Sequence, residues 1–252
     1  MPLGLNSSAG RVMGSAGLEQ LLGRSTLLRG LPDQHVKSLI QAGHVRGVAR
    51  DGFFFQQGDP ASTLYVLTAG QARLVQVTPE GNQIVLRFIA VGEMFGGIAF
   101  LGDTAYPASA QAITECAALS WDGETMTGLM DRYPRLALNA LQHMAERIQE
   151  LQDRLREMAT ERVERRIANT LLRLARQTGK KTAEGVLIDL PLSRQDLAEM
   201  SGTTLYTVSR TLSRWEQEGI VEAGRERVLI CVPHRLVMIA QDLPPPNAKP
   251  SA

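Results

Sequence analysis

From Pro134 to Gly179 the chain is free of interior glycine, and within that stretch Ala137, Leu141, Met144, Ile148, Leu151, Leu155 and Met158 fall at alternating steps of four and three. Such spacing is the seam of a coiled coil. A helix packed only on its own domain usually shows a wider apolar stripe, and the flanking Glu146, Arg147, Glu150, Asp153, Arg154 and Arg156 suit a solvated helix. The pattern predicts a dimerisation helix over residues 133–161, with Leu141, Met144, Ile148, Leu151, Leu155 and Met158 facing a second copy of the chain. Before it the texture differs. Short apolar runs at 63–67, 72–77, 84–89 and 117–121 alternate with turn residues, and Gly58, Gly70, Gly81, Gly92 and Gly102 recur at the spacing of a hairpin-built β-roll or barrel. Pro32-Asp33 followed by Val36, Leu39 and Ile40 predicts a short helix ahead of that region. After the seam, Val163, Ile167, Leu171 and Leu174 predict a helix over 163–177, then a strand at 186–190, two helices, and a hairpin over 220–232 turning at Ala223-Gly224.

The two helices carry the more specific signal. Ser193 before Arg194-Gln195-Asp196 predicts an N-cap for a helix ending at Met200, and Ser201-Gly202-Thr203 supplies a turn into a helix over 204–217. Ala198, Gly202 and Val208 stand where a helix-turn-helix needs a small residue, a turn-tolerant residue and an apolar anchor; an ordinary helical hairpin is the plainer alternative. With Val208, Leu212 and Trp215 turned inward, Leu205, Tyr206, Ser209, Arg210 and Ser213 become candidate base readers, Arg210 by a bidentate contact to guanine. Arg194, Gln195, Thr203, Thr204 and Arg214 are candidate phosphate contacts.

Charge supports this division. Net charge is +1, yet residues 162–235 hold 13 Lys and Arg against 9 Asp and Glu, while the rest of the 252 residues holds 14 against 17. Only the C-terminal third is suited to a polyanion such as double-stranded DNA. No apolar run reaches membrane-spanning length, and the small polar opening lacks the pattern of a secretory signal, so a cytoplasmic protein without membrane contact is expected. Residues 1–17 and 241–252 read as disordered tails. Cys116 and Cys231 stand far apart and form no metal or redox motif, and neither a catalytic triad nor a Walker loop is present, so no enzyme is expected.

Several motifs stand in a telling order: Phe55-Gln56-Gln57-Gly58-Asp59-Pro60-Ala61, Tyr65-Val66-Leu67 with Gly70, Gly92-Glu93-Met94-Phe95-Gly96, residues 192–198, then Thr207-Val208-Ser209-Arg210-Thr211-Leu212. In these the chain resembles the cAMP receptor protein/FNR superfamily from Leu18 to about Ile239. The resemblance implies an α+β protein: a cyclic-nucleotide-binding-like β-roll over 18–132, the dimerisation helix, and a winged helix-turn-helix over 162–240. It also implies a homodimer on a palindromic site, contact with RNA polymerase, and a hinge near 159–162 through which an effector reorients the DNA domains.

Departures from the family pattern narrow the effector. The family's glutamate and arginine for cyclic nucleotide are replaced by Gly97 and Ala108, and the interval between Arg87 and Arg132 holds no Lys or Arg but six acidic residues, so cAMP binding is not expected. Two cysteines cannot hold the four-cysteine iron-sulfur cluster of the oxygen-sensing branch. The segment from Phe95-Gly96-Gly97 to Tyr106-Pro107-Ala108-Ser109-Ala110 is similar to the nitric-oxide-responsive DNR and NnrR group. That similarity makes haem b the candidate cofactor, with His44, His143 or His35, and more weakly Met94 or Met144, as axial ligand. The implied effector pocket is Phe95, Gly96, Gly97, Ile98, Ala108, Ser109, Met144 and Ile148. A different small effector, or a regulator that is DNA-competent without one, remain the alternatives. Where FNR-like readers carry Glu-x-x-Ser-Arg, this chain has Tyr206 ahead of Ser209-Arg210, which points to an altered half-site.

Overall fold

The computed structural model describes residues 15–23, 25–100 and 104–243. Both expected tails therefore lie largely outside the described residues, as does Gly102. Ser15 already begins a helix, which corrects the reading of 15–17 as tail.

The elements in chain order are α1 (Ser15–Gly23), α2 (Asp33–Ala42), β1 (His44–Val48), β2 (Phe53–Phe55), β3 (Thr63–Ala69), β4 (Ala72–Val77), β5 (Gln83–Ile89) and β6 (Met94–Phe95). A 3-10 turn (Gly97–Phe100), β7 (Ser109–Ala112), β8 (Cys116–Asp122), α3 (Gly123–Arg132) and α4 (Arg135–Thr160) follow. Then come α5 (Val163–Thr178), β9 (Gly179–Thr182), β10 (Gly185–Ile188), α6 (Arg194–Ser201), α7 (Leu205–Gln217), β11 (Val221–Gly224), β12 (Arg227–Ile230) and α8 (Pro233–Ala240). The fold class is α+β, as expected. Two compact units divide the chain: residues up to Gln83 with Arg87–Ile148, and Gln149 onward with Ile84–Leu86. No described helix is long and apolar enough to cross a membrane.

In the first unit the strands form two four-stranded sheets, in the orders β1-β8-β3-β6 and β2-β7-β4-β5. Successive side chains of a strand point to opposite faces, and β3 and β8 use both. Leu64, Val66, Leu119 and Trp121 pack with the helices, joining Leu22, Leu27, Val36, Leu39, Met126 and Leu136. Tyr65, Leu67, Cys116 and Ala118 enter the second core with Phe54, Phe55, Phe95, Tyr106 and Ala110. Burial on both faces is why these strands read as unbroken apolar runs instead of alternating ones. The glycine spacing reflects tight turns: Gly70 sits at φ +83°, and a Cβ there would lie 2.3 Å from the Glu115 carbonyl oxygen.

α4 has two faces. Leu136, Asn139, Ala140 and His143 are buried, while Leu141, Met144, Ile148, Leu151, Leu155 and Met158 are between 39% and 70% exposed. The stripe predicted from spacing is thus left open along the helix. On the buried face the Asn139 amide donates to the Leu27 and Arg29 carbonyl oxygens at 2.8 and 2.9 Å, tying α4 to the loop after α1.

In the second unit one sheet, ordered β11-β12-β10-β9, lies beside the helices. Buried Ile167, Leu171, Leu174, Leu197, Val208, Leu212, Trp215, Ile220, Leu229 and Leu236 form its interior. The β11-β12 hairpin pairs Gly224 with Arg227, so its turn is Arg225-Glu226 and not Ala223-Gly224. Burial of Val221, Val228 and Ile230 sets that register, and Glu226 accepts φ +57° to close it.

Replacing Asn139 by Ala leaves two carbonyls of the buried loop without their donor. The expected loss is about 1–3 kcal/mol of stability, read as a lower urea midpoint for the full chain.

Candidate nucleic-acid interface

The geometry of α6 and α7 is set by local chemistry at three points. The Ser193 hydroxyl accepts from the Asp196 amide at 3.0 Å while the Asp196 carboxylate accepts from the Ser193 amide at 2.9 Å, a reciprocal cap worth about 1 kcal/mol. Gly202 ends α6 in the left-handed conformation (φ +61°, ψ +47°), and a Cβ there would also crowd Met158 at 3.1 Å. Thr204 then caps α7 by accepting from the Thr207 amide at 3.2 Å. The expected helix boundaries hold to within a residue.

Between these caps lies an interaction that spacing did not reveal. Arg166, on α5, donates from Nε to the Ser201 carbonyl at 2.9 Å, from Nη2 to the Gly202 carbonyl at 3.0 Å, and from Nη1 to the Glu161 carbonyl at 2.9 Å. Helix ends leave carbonyls without intrahelical donors, and here one planar cation serves both the turn and the break between α4 and α5. The Glu161 side chain is held in turn by Asn169 at 3.0 Å and Arg165 at 3.5 Å.

On α7, Val208, Thr211, Leu212 and Trp215 are buried, whereas Leu205, Tyr206, Arg210 and Ser213 are exposed and Ser209 is half-buried. All five expected base readers therefore lie toward solvent on one helix. The Arg210 guanidinium carbon sits 6.0 Å from the centre of the Tyr206 ring, one helical turn away. Arg194 and Thr203 are half-buried and Gln195 is exposed, its amide donating to Glu199 at 2.9 Å. Arg214 forms ion pairs with Glu164 and, at 3.9 Å, with Glu218, and Trp215 also donates to Glu164 at 3.1 Å. Its guanidinium, half exposed, joins α7 to α5. Sequence reasoning missed Arg225 and Arg227, exposed at the tip of the hairpin. The available signal was the Arg-Glu-Arg run, hidden by a turn placed two residues early.

In the first unit the expected effector residues separate. Phe95, Ala108 and Ser109 are buried, Ile98 packs on the aromatic cluster, and the Ser109 hydroxyl accepts from the Gln57 amide at 2.9 Å. Gly96 adopts φ +73° and Gly97 opens the 3-10 turn, while Met144 and Ile148 lie on the exposed stripe of α4. The Tyr106 ring stacks on Phe55 at 3.7 Å, and its hydroxyl both donates to the Thr63 carbonyl at 2.6 Å and accepts from the Thr63 amide at 2.9 Å. The candidate haem ligands are not gathered here. His44 is exposed on β1, His35 packs on Tyr133 at 4.4 Å, and His143 is buried with its Nδ1 3.4 Å from the Thr26 hydroxyl. Met94 belongs to the helix-side core. None of these five is in the aromatic cluster, so the residues present do not fit a haem held between the sheets.

Comparison with known proteins places this architecture. Residues 45–133 match the model of the cyclic nucleotide-binding domain and residues 165–239 that of the Crp-like helix-turn-helix domain. The cyclic AMP receptor protein of Thermus thermophilus is 30% identical over 200 residues, covering 79% of this chain and 89% of that protein. The chain belongs to the CRP/FNR family of transcription regulators. Similar to this CRP/FNR regulator is also the transcriptional activator protein anr of Pseudomonas aeruginosa, 24% identical over 73% of this chain and 75% of that one. Among solved structures, a CRP-family transcriptional regulator from Thermus thermophilus superposes with a TM-score of 0.66 at 27% identity, covering 79% of this chain and 97% of the other. As a family member it is a DNA-binding regulator, and α6 and α7 lie within its helix-turn-helix domain.

Substituting Arg166 by Ala removes three charge-assisted bonds, and substitution by Lys cannot restore the planar fork. Each is expected to destabilise the regulator by about 2–3 kcal/mol, measured by urea denaturation, and to weaken a gel-shift more than the loss of one surface charge would.

Proposed function

We propose that this regulator acts in the cytoplasm as a homodimer on a palindromic operator, controls RNA polymerase from there, and answers to an effector other than cAMP. The exposed face of α7, on which Arg210 has no carboxylate partner among the described residues, is the observation that carries the DNA reading. A gel-shift on the chain's own promoter region tests it. Arg210→Ala is expected to lower affinity about 5- to 150-fold, the worth of a bidentate guanine contact.

The open stripe of α4 supports the dimer. Each leucine moved from water into an apolar contact contributes roughly 1.5–3 kcal/mol, and six apolar side chains lie in register with charged flanks. Sedimentation is expected to give a dimer, and Leu151→Glu with Leu155→Glu to give a monomer that loses operator binding. RNA polymerase contact and the palindrome rest on the family alone.

For the effector, Gly97 and Ala108 leave a cyclic nucleotide without its usual ribose and phosphate partners, and the stacked Phe55 and Tyr106 rings belong to the buried cluster between the sheets. Isothermal titration is expected to give no submicromolar cAMP binding; such binding overturns this part. Haem b gains no support from the histidines' positions, and protein from haem-replete cells is expected to lack a Soret band.

A further inference from the structure

Helix α7 opens with two apolar side chains that the domain cannot bury. Leu205 is 48% exposed and Tyr206 is 73% exposed, side by side in the first turn of α7. The opposite face of the helix is committed to the interior through Val208, Leu212 and Trp215, none of which is measurably exposed, so the helix cannot roll to hide them. Adjacent exposed apolar side chains at a binding surface mark a contact. Leu205 has no atom that can hydrogen-bond, and it therefore cannot read a base by donor or acceptor.

The rest of the turn narrows what this pair can meet. From Thr203 to Leu212 the chain holds no Asp or Glu, so no carboxylate is available to accept from the cytosine amino group. The apolar feature of the major groove is the C5-methyl of thymine. Tyr206 also carries the Arg210 guanidinium at 6.0 Å over its ring, an arrangement that holds a cation by the ring's negative face without neutralising it. Four residues of helix advance about 6 Å, close to two base steps of about 3.4 Å.

We infer that Leu205 and Tyr206 read thymine methyl groups, and that each half-site carries a thymine within two base pairs of the guanine bound by Arg210. This rests on α7 lying in the major groove as the proposed function has it. Tyr206 thus has two tasks, a methyl contact through its ring and the positioning of Arg210.

Selection of duplexes by the full chain, followed by replacing each selected thymidine with deoxyuridine, tests the inference because that exchange removes only the methyl. The expected half-site has thymine within two base pairs of guanine, and each such uridine weakens wild-type binding about fourfold, the worth of one buried methyl. Uridine in the flanks has no effect. The Leu205→Ala, Tyr206→Ala double variant, whose changed positions are exposed, is expected to keep the wild-type melting temperature and bind both duplexes equally. Tyr206→Phe is expected to keep the preference for thymidine. Equal wild-type binding of the two duplexes with sequence selectivity intact, or a half-site lacking that thymine, overturns the methyl readout alone. Absence of any sequence selectivity overturns the proposed function first.

Discussion

Three carbonyls that helix geometry leaves without donors converge on the Arg166 guanidinium, and the working parts of the DNA-binding unit are referred to that one side chain. Two of them, on Ser201 and Gly202, form the turn that aims α7; the third, on Glu161, lies at the break between α4 and α5. Arginine suits the place because its donors are fixed in one plane and its charge is permanent. Around it, Glu157 pairs with Arg173 at 3.3 Å, and Arg154 donates to the Met200 carbonyl at 3.2 Å. The end of α4, the start of α5 and the end of α6 therefore form one bonded block. A rotation of α5 about the break at Glu161-Arg162 would carry α6 with it or else break charge-assisted bonds.

The first unit is governed by a different constraint, the use of both faces of β3 and β8. A sheet with helices on one side and a second sheet on the other needs two sets of apolar residues from the same strands. Here the set between the sheets is aromatic. Tyr106 is anchored through its hydroxyl to Thr63 on both its amide and its carbonyl and stacks on Phe55 at 3.7 Å, and Phe54, Phe55, Tyr65 and Phe95 continue the cluster with ring centroids 5.1 to 6.1 Å apart. Burial also pushes the Cys116 thiol above its usual pKa, leaving it a packing group that donates to the Gln71 carbonyl. An effector acting from this interior has to displace rings that already satisfy one another.

What was legible in the sequence was what repeats or caps. The α4 stripe could be read because heptad spacing is a property of the sequence alone, and the helix-turn-helix because Ser193, Gly202 and Thr204 each have a local structural cause. Elements held from outside were not legible. β1 is almost wholly exposed, β9 is Gly-Lys-Lys-Thr with every residue exposed, and both exist through pairing with a neighbouring strand. α3 begins at Gly123 and contains Gly128, a poor helix by propensity that the Asp122 cap and the burial of Met126 sustain. Arg166 and Arg214 look alike on the page, as basic residues in a basic region. Only the fold separates a clamp on carbonyls from a pin on Glu164, because both depend on contacts 35 or more residues away.

That separation changes how the positive charge of the DNA unit is understood. Of its cations, Arg165, Arg173, Lys180, Arg214 and Arg235 are engaged in ion pairs within the unit, and Arg166 is spent on carbonyls. Arg162, Arg176, Lys181, Arg194, Arg210, Arg225 and Arg227 have no ion pair among the described residues, and of these Arg194, Arg210, Arg225 and Arg227 sit on α6, α7 and the hairpin tip. Each phosphate that a free cation neutralises adds to the dependence of affinity on salt, and the paired ones contribute less to it. On the open face of α7 the chemistry is one arginine beside a leucine, a tyrosine and two serines, with no carboxylate among them.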